Sequence, residues 1–319
     1  MGIKILSIKA TLLIVLLSTS LSLLADKKYS AIYIFGDSAA DTGNLASTLN
    51  FTLPSPPFYK SSRISNGPVA VEFLAKSLGL TAKPSLHLIG PAQGTNYAVA
   101  GGRAAVDSSD PRGLTTQIAS FLSNHSNKAP SGALYVMYIG ANDVKDALPL
   151  PTLSARVAHV DTAIANVSDS LTSLINAGAH HIFIVNSPNV GDAPESKRLA
   201  TETNDPGYIK RATKLTKIYN KKLKRVRKKI SKKSHVTFYK FNLFKFIGFL
   251  IKHGNAFGFT NVTDACFNTT QFVFFPDCDN GLKFPEYFFF DELHFTARVH
   301  KFVGHAMKKS VKRISNKSL

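Results

Sequence analysis

A serine near the start of the chain and a histidine near its end have the surroundings that nucleophilic catalysis requires. Ser38 follows an apolar run typical of a buried strand, so its hydroxyl is expected at the carboxyl edge of a sheet, where ligands bind. Asp291 precedes His294 by three residues, and on one helical turn this spacing lets the carboxylate reach Nδ1 of the imidazole. Nε2 is then free to take the proton of Ser38. His300 and His305 are rival bases, but neither has an acidic residue three positions before it.

Groups that could stabilise a negatively charged oxygen follow two other apolar runs. Gly101 comes after the run Thr95–Val99 and offers a main-chain amide that a substrate can approach closely. Asn142 comes after the run Leu134–Ile139 and offers a side-chain amide. With the main-chain amide of Ser38 these groups would form an oxyanion hole, and losing one such donor typically lowers the rate by about 10² to 10³-fold. Taken singly, the motifs also fit a helix cap, ordinary turns and a surface ion pair.

The elements that must position these residues alternate between strand and helix. Five short apolar runs are rich in residues that favour strands: Ala31–Phe35, Thr95–Val99, Leu134–Ile139, His181–Val185 and Val236–Phe241. Helix-length stretches between them include Val69–Leu78, Leu153–Asn176 and a basic stretch, Lys210–Lys233. The pattern predicts one α/β domain with a central parallel sheet of about five strands covered by helices on both faces.

Together these motifs resemble the sequence blocks of the GDSL family of SGNH hydrolases, over nearly all of the chain beyond residue 25. The blocks, in the family's order, are Gly36-Asp37-Ser38 with Asp41-Thr42-Gly43-Asn44, Asn96-Tyr97-Ala98 with Gly101, Gly140-x-Asn142-Asp143, and Asp291-x-x-His294. The resemblance implies a three-layer, flavodoxin-like fold. It also implies these roles: Ser38 as nucleophile, His294 as base, Asp291 as the residue that orients the base, and Ser38, Gly101 and Asn142 as oxyanion donors.

Two features depart from the family's common pattern. Ala39 stands where the leucine that names the family is expected, which affects packing beside the nucleophile more than the chemistry. Phe295-Thr296 replaces the Pro-Thr of many plant members, and with Ser65-Asn66-Gly67-Pro68 it resembles bacterial lysophospholipases and glycerophospholipid acyltransferases. The second feature favours lipid esters, by analogy alone.

The resemblance predicts a monomeric serine hydrolase that cleaves acyl esters, in particular those of lipids or lysophospholipids, with no metal and no organic cofactor. Three alternatives stay open at this point. The enzyme could pass the acyl group to an alcohol such as a sterol, or it could act on carbohydrate esters. A secreted basic protein that binds a ligand without catalysis is the third.

The charge of the chain is concentrated in one stretch. The formal net charge is +19, and no Asp or Glu occurs between Asp205 and Asp264. Apolar residues recur there at helical spacing, namely Ala212, Leu215, Tyr219, Leu223, Val226 and Ile230, while lysine and arginine fill most other positions. The pattern predicts an amphipathic helix whose basic face either contacts an anionic membrane surface or is simply solvated. No nucleic-acid-binding signature accompanies it.

The start of the chain carries a signal of export, which bears on how the two cysteines are interpreted. Residues 1–25 combine a basic start with an apolar run, which predicts a signal peptide or, alternatively, an uncleaved anchor, followed by one domain over residues 26–319. A secreted protein with only two cysteines favours a disulfide between Cys266 and Cys278, and free buried thiols are the alternative. The segment Gly254–Pro285 lacks periodicity, and we expect a long loop held by that disulfide.

Overall fold

The computed structural model describes residues 28–48, 62–106, 109–268 and 271–315. The predicted signal peptide, residues 1–25, lies outside these described residues. Within them, no helix combines the length and the apolar character that crossing a bilayer requires.

The described residues form eight strands and nine α-helices. The strands are β1 (Ile32–Gly36), β2 (Leu134–Tyr138), β3 (His181–Val185), β4 (Thr237–Phe241), β5 (Asn261–Ala265), β6 (Phe267–Asn268), β7 (Val273–Phe274) and β8 (Tyr287–Phe289). The helices are α1 (Asn44–Ser47), α2 (Ala70–Ser77), α3 (Leu114–Asn124), α4 (Ala141–Ala147), α5 (Leu153–Asn176), α6 (Pro194–Glu202), α7 (Tyr208–Ser231), α8 (Leu243–Lys252) and α9 (Ala297–Ser315).

A parallel sheet in the order β1-β2-β3-β4 forms the centre of the fold. β1 and β2 are buried along their whole length, as expected for strands that are covered on both faces. One apolar cluster joins the sheet to α3, α4, α5 and α7, and a second joins its other face to α2, α8 and α9. The predicted three-layer α/β architecture is therefore confirmed.

The second of the five predicted strands, Thr95–Val99, is only partly formed. It runs beside the free edge of β1, where Ile34 N–H donates to the Thr95 carbonyl (3.1 Å) and Tyr97 N–H donates to the Ile34 carbonyl (2.7 Å). Its pairing with β1 is a single bridge between Ile34 and Asn96, because the Asn96 carbonyl accepts hydrogen bonds from loop residues on its other side. The central sheet thus has four regular strands, not five.

The basic helix has the predicted amphipathic character. It is α7, and Ala212, Leu215, Tyr219 and Leu223 on one side of it are buried against the sheet and α5. Burying these side chains stabilises the helix at the surface of the domain, since apolar area removed from water contributes about 25 cal/mol per Å². Most of its lysines are exposed.

The segment Gly254–Pro285 is more ordered than a simple loop. Cys266 and Cys278 form a disulfide, as predicted. β5 pairs with β8, and β6 pairs with β7 inside the loop that the disulfide closes. Phe267 and Phe284 are buried there beside the disulfide. Local strand pairs and a small aromatic core need no long periodic pattern, which is why the expectation of an irregular loop was wrong.

Candidate active site

Ser38 lies just beyond the carboxyl end of β1, in a turn whose shape depends on Gly36. A Cβ atom at Gly36 would lie 2.2 Å from the Tyr138 carbonyl oxygen of β2, so no larger residue fits. The buried side chain of Gln117, on α3, fixes the main chain at Gly36 with two hydrogen bonds. Its oxygen accepts from Gly36 N–H, and its amide donates to the Gly36 carbonyl, both at 2.8 Å. The end of β1 is therefore fixed before the chain reaches Ser38.

Ser38, His294 and Asp291 form a continuous chain of hydrogen bonds. His294 Nε2 lies 2.8 Å from Ser38 Oγ, and His294 Nδ1 lies 2.8 Å from each carboxylate oxygen of Asp291. Asp291 is 2% exposed. Burial raises the pKa of this carboxyl group, but the neighbouring charge of His294 and its hydrogen bonds outweigh that effect and hold the pKa below its usual value. Asp291 is therefore an anion at neutral pH, suited to orient an imidazole.

Asp291 and His294 lie in a turn between β8 and α9, and not on the helical turn that the spacing predicted. Oδ1 of Asp291 accepts hydrogen bonds from the main-chain N–H of Leu293 (2.8 Å) and of His294 (2.7 Å). This closes a tight turn of the kind that aspartate favours. The three-residue spacing still brings carboxylate and imidazole together, but the side chain of Asp291 itself builds the turn that does so.

The two rival histidines do not occupy the position of a base. His300 is buried, and its Nδ1 accepts a hydrogen bond from Ala70 N–H at 3.2 Å. Burial, with a smaller effect from the charge of His294, lowers the pKa of His300 to about 3. It is therefore neutral at any working pH, with Nδ1 already engaged. His305 is exposed on α9, beside the ring of Phe73.

Only two of the three expected oxyanion donors line the pocket beside His294. Ser38 and Asn142 line the same pocket, and the Asn142 side-chain amide donates to the Gly102 carbonyl at 2.9 Å, which leaves its second N–H uncommitted. Gly101 precedes that carbonyl but is not part of the pocket wall. The main-chain N–H groups of Ser38 and Gly101 donate to no partner within the part of the chain that the structure describes.

Three buried polar residues hold the loops around Ser38 together, and sequence reasoning assigned them no structural role. The Asp41 carboxylate accepts from four main-chain N–H groups, three in its own turn and that of Ala100 (2.8 Å). The Asn44 amide donates to the carbonyls of Asn96 and Ala98, both at 2.8 Å. The Asn96 side-chain amide in turn donates a hydrogen bond to the Ala40 carbonyl (2.7 Å). The signal that could have revealed this was the cluster of polar residues between apolar runs.

Gly140 and Asp143 position Asn142 in a similar way. Gly140 has φ +126°, and a Cβ atom there would lie 2.2 Å from the buried ring of Tyr219. Oδ1 of Asp143 accepts from the main-chain N–H groups of Ala104 (2.9 Å) and Ala105 (2.7 Å). The start of α4 is therefore tied to the loop that contains Gly101.

A small pocket of about 70 Å³ opens beside Ser38 and His294. Its wall is mostly apolar and includes Ile139, Val190, Ile247, Phe289 and Phe295, with Asn142, Lys145, Asn189 and Asp192 as polar members. Across the described residues, no cluster of His, Cys, Asp or Glu side chains is placed to hold a metal ion. A hydroxyl, a base and a free amide facing a mostly apolar cavity suit nucleophilic attack on a carbonyl group.

Asp37, next to the serine, makes the stability of the fold depend on pH. Burial raises its pKa to about 7, although a hydrogen bond from Ala39 N–H and the charge of His294 lower it in part. The folded protein thus holds this proton more tightly than the unfolded chain, whose carboxyl has a pKa of 3.8. The free energy of unfolding should therefore fall as the pH rises from about 4 to about 7, and the effect should level off above that range.

Asp37→Asn tests this expectation, since asparagine keeps an oxygen to accept from Ala39 N–H and does not titrate. Urea unfolding of both proteins at several pH values between about 4 and 8 should show the variant gaining stability relative to the wild type as the pH rises. Parallel stability profiles for the two proteins would contradict the assignment.

Comparison with known proteins places the chain in a family. The family model for GDSL-like Lipase/Acylhydrolase matches residues 32–307. Lipase 1 of Photorhabdus luminescens is 32% identical over 171 residues, 52% of this chain and 23% of that protein. GDSL esterase/lipase 5 of Arabidopsis thaliana is 26% identical over 330 residues, 89% of this chain and 83% of that protein.

A third relative carries a transferase name. Phosphatidylcholine-sterol acyltransferase of Aeromonas hydrophila is 26% identical over 245 residues, covering 75% of this chain and 66% of that protein. The family model spans the whole of the parallel sheet and every residue of the Ser38–His294–Asp291 hydrogen-bond chain. The chain belongs to the GDSL-like lipase/acylhydrolase family of ester hydrolases.

Proposed function

We propose that this protein hydrolyses acyl esters of lipids through a covalent acyl-enzyme on Ser38. The observation that carries the proposal is the hydrogen-bond chain from Ser38 through His294 to Asp291, with its nucleophile facing a mostly apolar pocket. A serine hydroxyl alone is a weak nucleophile, and a neighbouring base that can remove its proton is what activates it.

The geometry supports a two-step reaction. In the first step, Ser38 Oγ attacks the ester carbonyl while its proton moves to His294 Nε2, and Asp291 stabilises the imidazolium that results. Negative charge on the carbonyl oxygen would be met by the amides of Ser38, Gly101 and Asn142. His294 then gives its proton to the departing alcohol. In the second step, water attacks the acyl-serine by the same route and releases the acid.

Lipid esters are the favoured substrates, and lysophospholipids are the narrower expectation. Apolar side chains such as Val190, Ile247 and Phe289 in the pocket wall suit an acyl chain. The names of the relatives from Photorhabdus and Aeromonas refer to lipase and phosphatidylcholine acyl-transfer activities. The proposal includes export, which rests on the pattern of residues 1–25 and the disulfide.

Transfer of the acyl group to an alcohol is a second candidate, favoured by the Aeromonas relative's name. The acyl-serine is common to both reactions, and only the acceptor differs. Analysis of products with and without an added sterol separates them: free fatty acid alone indicates hydrolysis, and a sterol ester indicates transfer.

A fluorophosphonate probe and a panel of esters test the proposal. The probe should label Ser38, as located by peptide mass spectrometry, and the panel should show release of fatty acid from lysophospholipids as well as turnover of nitrophenyl butyrate. Ser187, which lines the same pocket, is the internal control and should stay unlabelled. Labelling of Ser187 in place of Ser38, or no hydrolysis of any ester in the panel, would contradict the proposal.

A further inference from the structure

A second, larger cleft of about 570 Å³ lies between α7 and the segment that joins β4 to α8. Six cationic side chains line it and no acidic one does: Lys217, Lys221, Lys224 and Arg227 from α7, Lys240 from β4 and Lys245 from α8. We call these six residues and the space between them the basic cleft. Asn186, Asn220 and Asn242 supply further hydrogen-bonding groups.

The cations of the basic cleft lack internal partners. Across the described residues, none of the six side chains takes part in an ion pair or a hydrogen bond, whereas Lys222 on the same helix pairs with Asp161. Arg227 is half-buried, and burial lowers its pKa. Six neighbouring positive charges repel one another, and a partly buried charge without a counter-ion is unfavourable. An anion in the basic cleft would relieve both effects.

Protection of the sheet edge explains only part of this arrangement. β4 is the last strand of the sheet, and an exposed lysine such as Lys240 keeps an edge strand from pairing with other chains. The same reason does not apply to the four cations of α7, which face the cleft from the helix. A flat bilayer would contact the outer lysines of α7 more readily than it would contact the cations inside a concave cleft, so membrane contact does not explain the cleft.

The basic cleft adjoins the candidate active site. Asn186 lines the cleft, and the next residue, Ser187, lines the pocket beside Ser38. The Asn220 side chain, part of the cleft, accepts from Ser187 N–H (3.0 Å) and donates to the Ser187 carbonyl (2.9 Å). On α8, Lys245 lines the cleft while Ile247 lines the pocket. The cleft and the pocket are therefore bounded by the same two segments, residues 186–187 and the first turns of α8.

We propose that the basic cleft binds the phosphate of the ester substrate, so that the enzyme prefers lipids with an anionic head group. The inference rests on the proposed function, in which the ester group of the substrate lies at Ser38. Phosphate offers several acceptor oxygens and a full negative charge, which match a cluster of lysines with one arginine. A zwitterionic head group carries a cation that the six side chains repel, and the cleft therefore selects phosphatidylglycerol over phosphatidylcholine.

A triple substitution within the cleft tests the proposal: Lys221→Gln, Lys224→Gln and Arg227→Gln. The matched control removes equal charge from the same basic stretch outside the cleft: Lys228→Gln, Lys229→Gln and Lys233→Gln. The substrates are dihexanoyl phosphatidylglycerol and dihexanoyl phosphatidylcholine, used as dissolved monomers so that no membrane surface is present, and nitrophenyl butyrate.

The cleft variant should lose about 10 to 100-fold in kcat/KM on phosphatidylglycerol, because each exposed ion pair contributes up to about a fivefold effect. On phosphatidylcholine, which carries the same phosphate but also a choline cation that the cleft repels, the loss should be much smaller. The rate on nitrophenyl butyrate should not change, and the control should keep all three rates. Equal losses on the two lipids, or an equal loss in the control, would overturn the proposal. An equal loss on nitrophenyl butyrate would mean that the three residues support the fold, and it would overturn the proposal as well.

Direct binding separates failure of this inference from failure of the proposed function. Calorimetry with glycerol 3-phosphate needs no hydrolysis and should show binding to the wild type and the control but not to the cleft variant. If the protein shows this binding pattern but hydrolyses no ester, the anion site is supported and the proposed function is refuted. Inorganic phosphate that binds as tightly, in a protein with no preference for phosphatidylglycerol, would identify a site for free anions and overturn the inference.

Discussion

Ser38→Ala is expected to reduce kcat for any ester by about 10⁶-fold, because removing the nucleophile of such a catalytic unit leaves only binding and oxyanion stabilisation. The fold should be almost unaffected. Ser38 is half-buried, and its hydroxyl contacts His294 and no core group. The free energy of unfolding should therefore change by no more than about 0.5 kcal/mol. Steady-state rates on nitrophenyl butyrate and urea unfolding of both proteins measure the two quantities.

Ser187→Ala is the matched control for this experiment. Ser187 is a serine of the same pocket, but its hydroxyl donates to the neighbouring Pro188 carbonyl and has no contact with His294. We expect its removal to leave kcat within a few-fold of the wild type. If Ser38→Ala keeps near-native turnover while the protein stays folded, Ser38 is not the nucleophile.

Asp291→Asn is expected to lower kcat by about 10⁴-fold. In the wild type, the carboxylate accepts a hydrogen bond from the N–H at Nδ1 of His294. Nε2 then carries no hydrogen and can accept the proton of Ser38. An asparagine that turns its NH₂ towards Nδ1 makes Nδ1 the acceptor and places the hydrogen on Nε2. His294 then has the wrong tautomer and cannot act as a base, although its position is unchanged.

The substitution also alters the turn, so stability must be measured beside activity. The asparagine side chain retains one oxygen for the N–H groups of Leu293 and His294, which Asp291 Oδ1 accepts in the wild type. Asp192→Asn, in the same pocket, is the control and should keep most of its activity. A loss of only a few-fold in folded Asp291→Asn would mean that the carboxylate does not determine the state of His294.

The sequence predicts most of the sheet because a fully buried strand is apolar along its whole length. In His181–Val185 the last four residues are apolar and buried, and the predicted bounds agree with the structure. Thr95–Val99 is also predicted as a strand, but Asn96 within it forms hydrogen bonds with the loop residues Ala40 and Asn44. These hydrogen bonds depend on the tertiary fold and cannot be predicted from the local sequence. Periodicity likewise cannot reveal β6, β7 and β8, which hold only two or three residues each, or β5, which is mostly polar and partly exposed.

The site could be located from motifs, but its surroundings could not. Asp291 and His294 meet through a turn that the carboxylate itself closes, and the three-residue spacing is compatible with either a helix or this turn. The basic cleft needs Lys240 and Lys245 beside α7, and they follow Arg227 by more than a dozen positions. Only the packing of α7 beside β4 and the start of α8 that follows it brings these charges together.

The bond between Ser38 and His294 joins residues 256 positions apart, almost the two ends of the domain. During synthesis the proposed nucleophile leaves the ribosome early, and the proposed base follows only when most of the domain has been made. α9 then docks on α2, where Gly304 leaves no room for a Cβ atom against Ala70 and Phe73. In the proposed mechanism, a nascent or shortened chain that lacks His294 has a serine without a base, and we expect esterase activity only once the last part of the domain has folded.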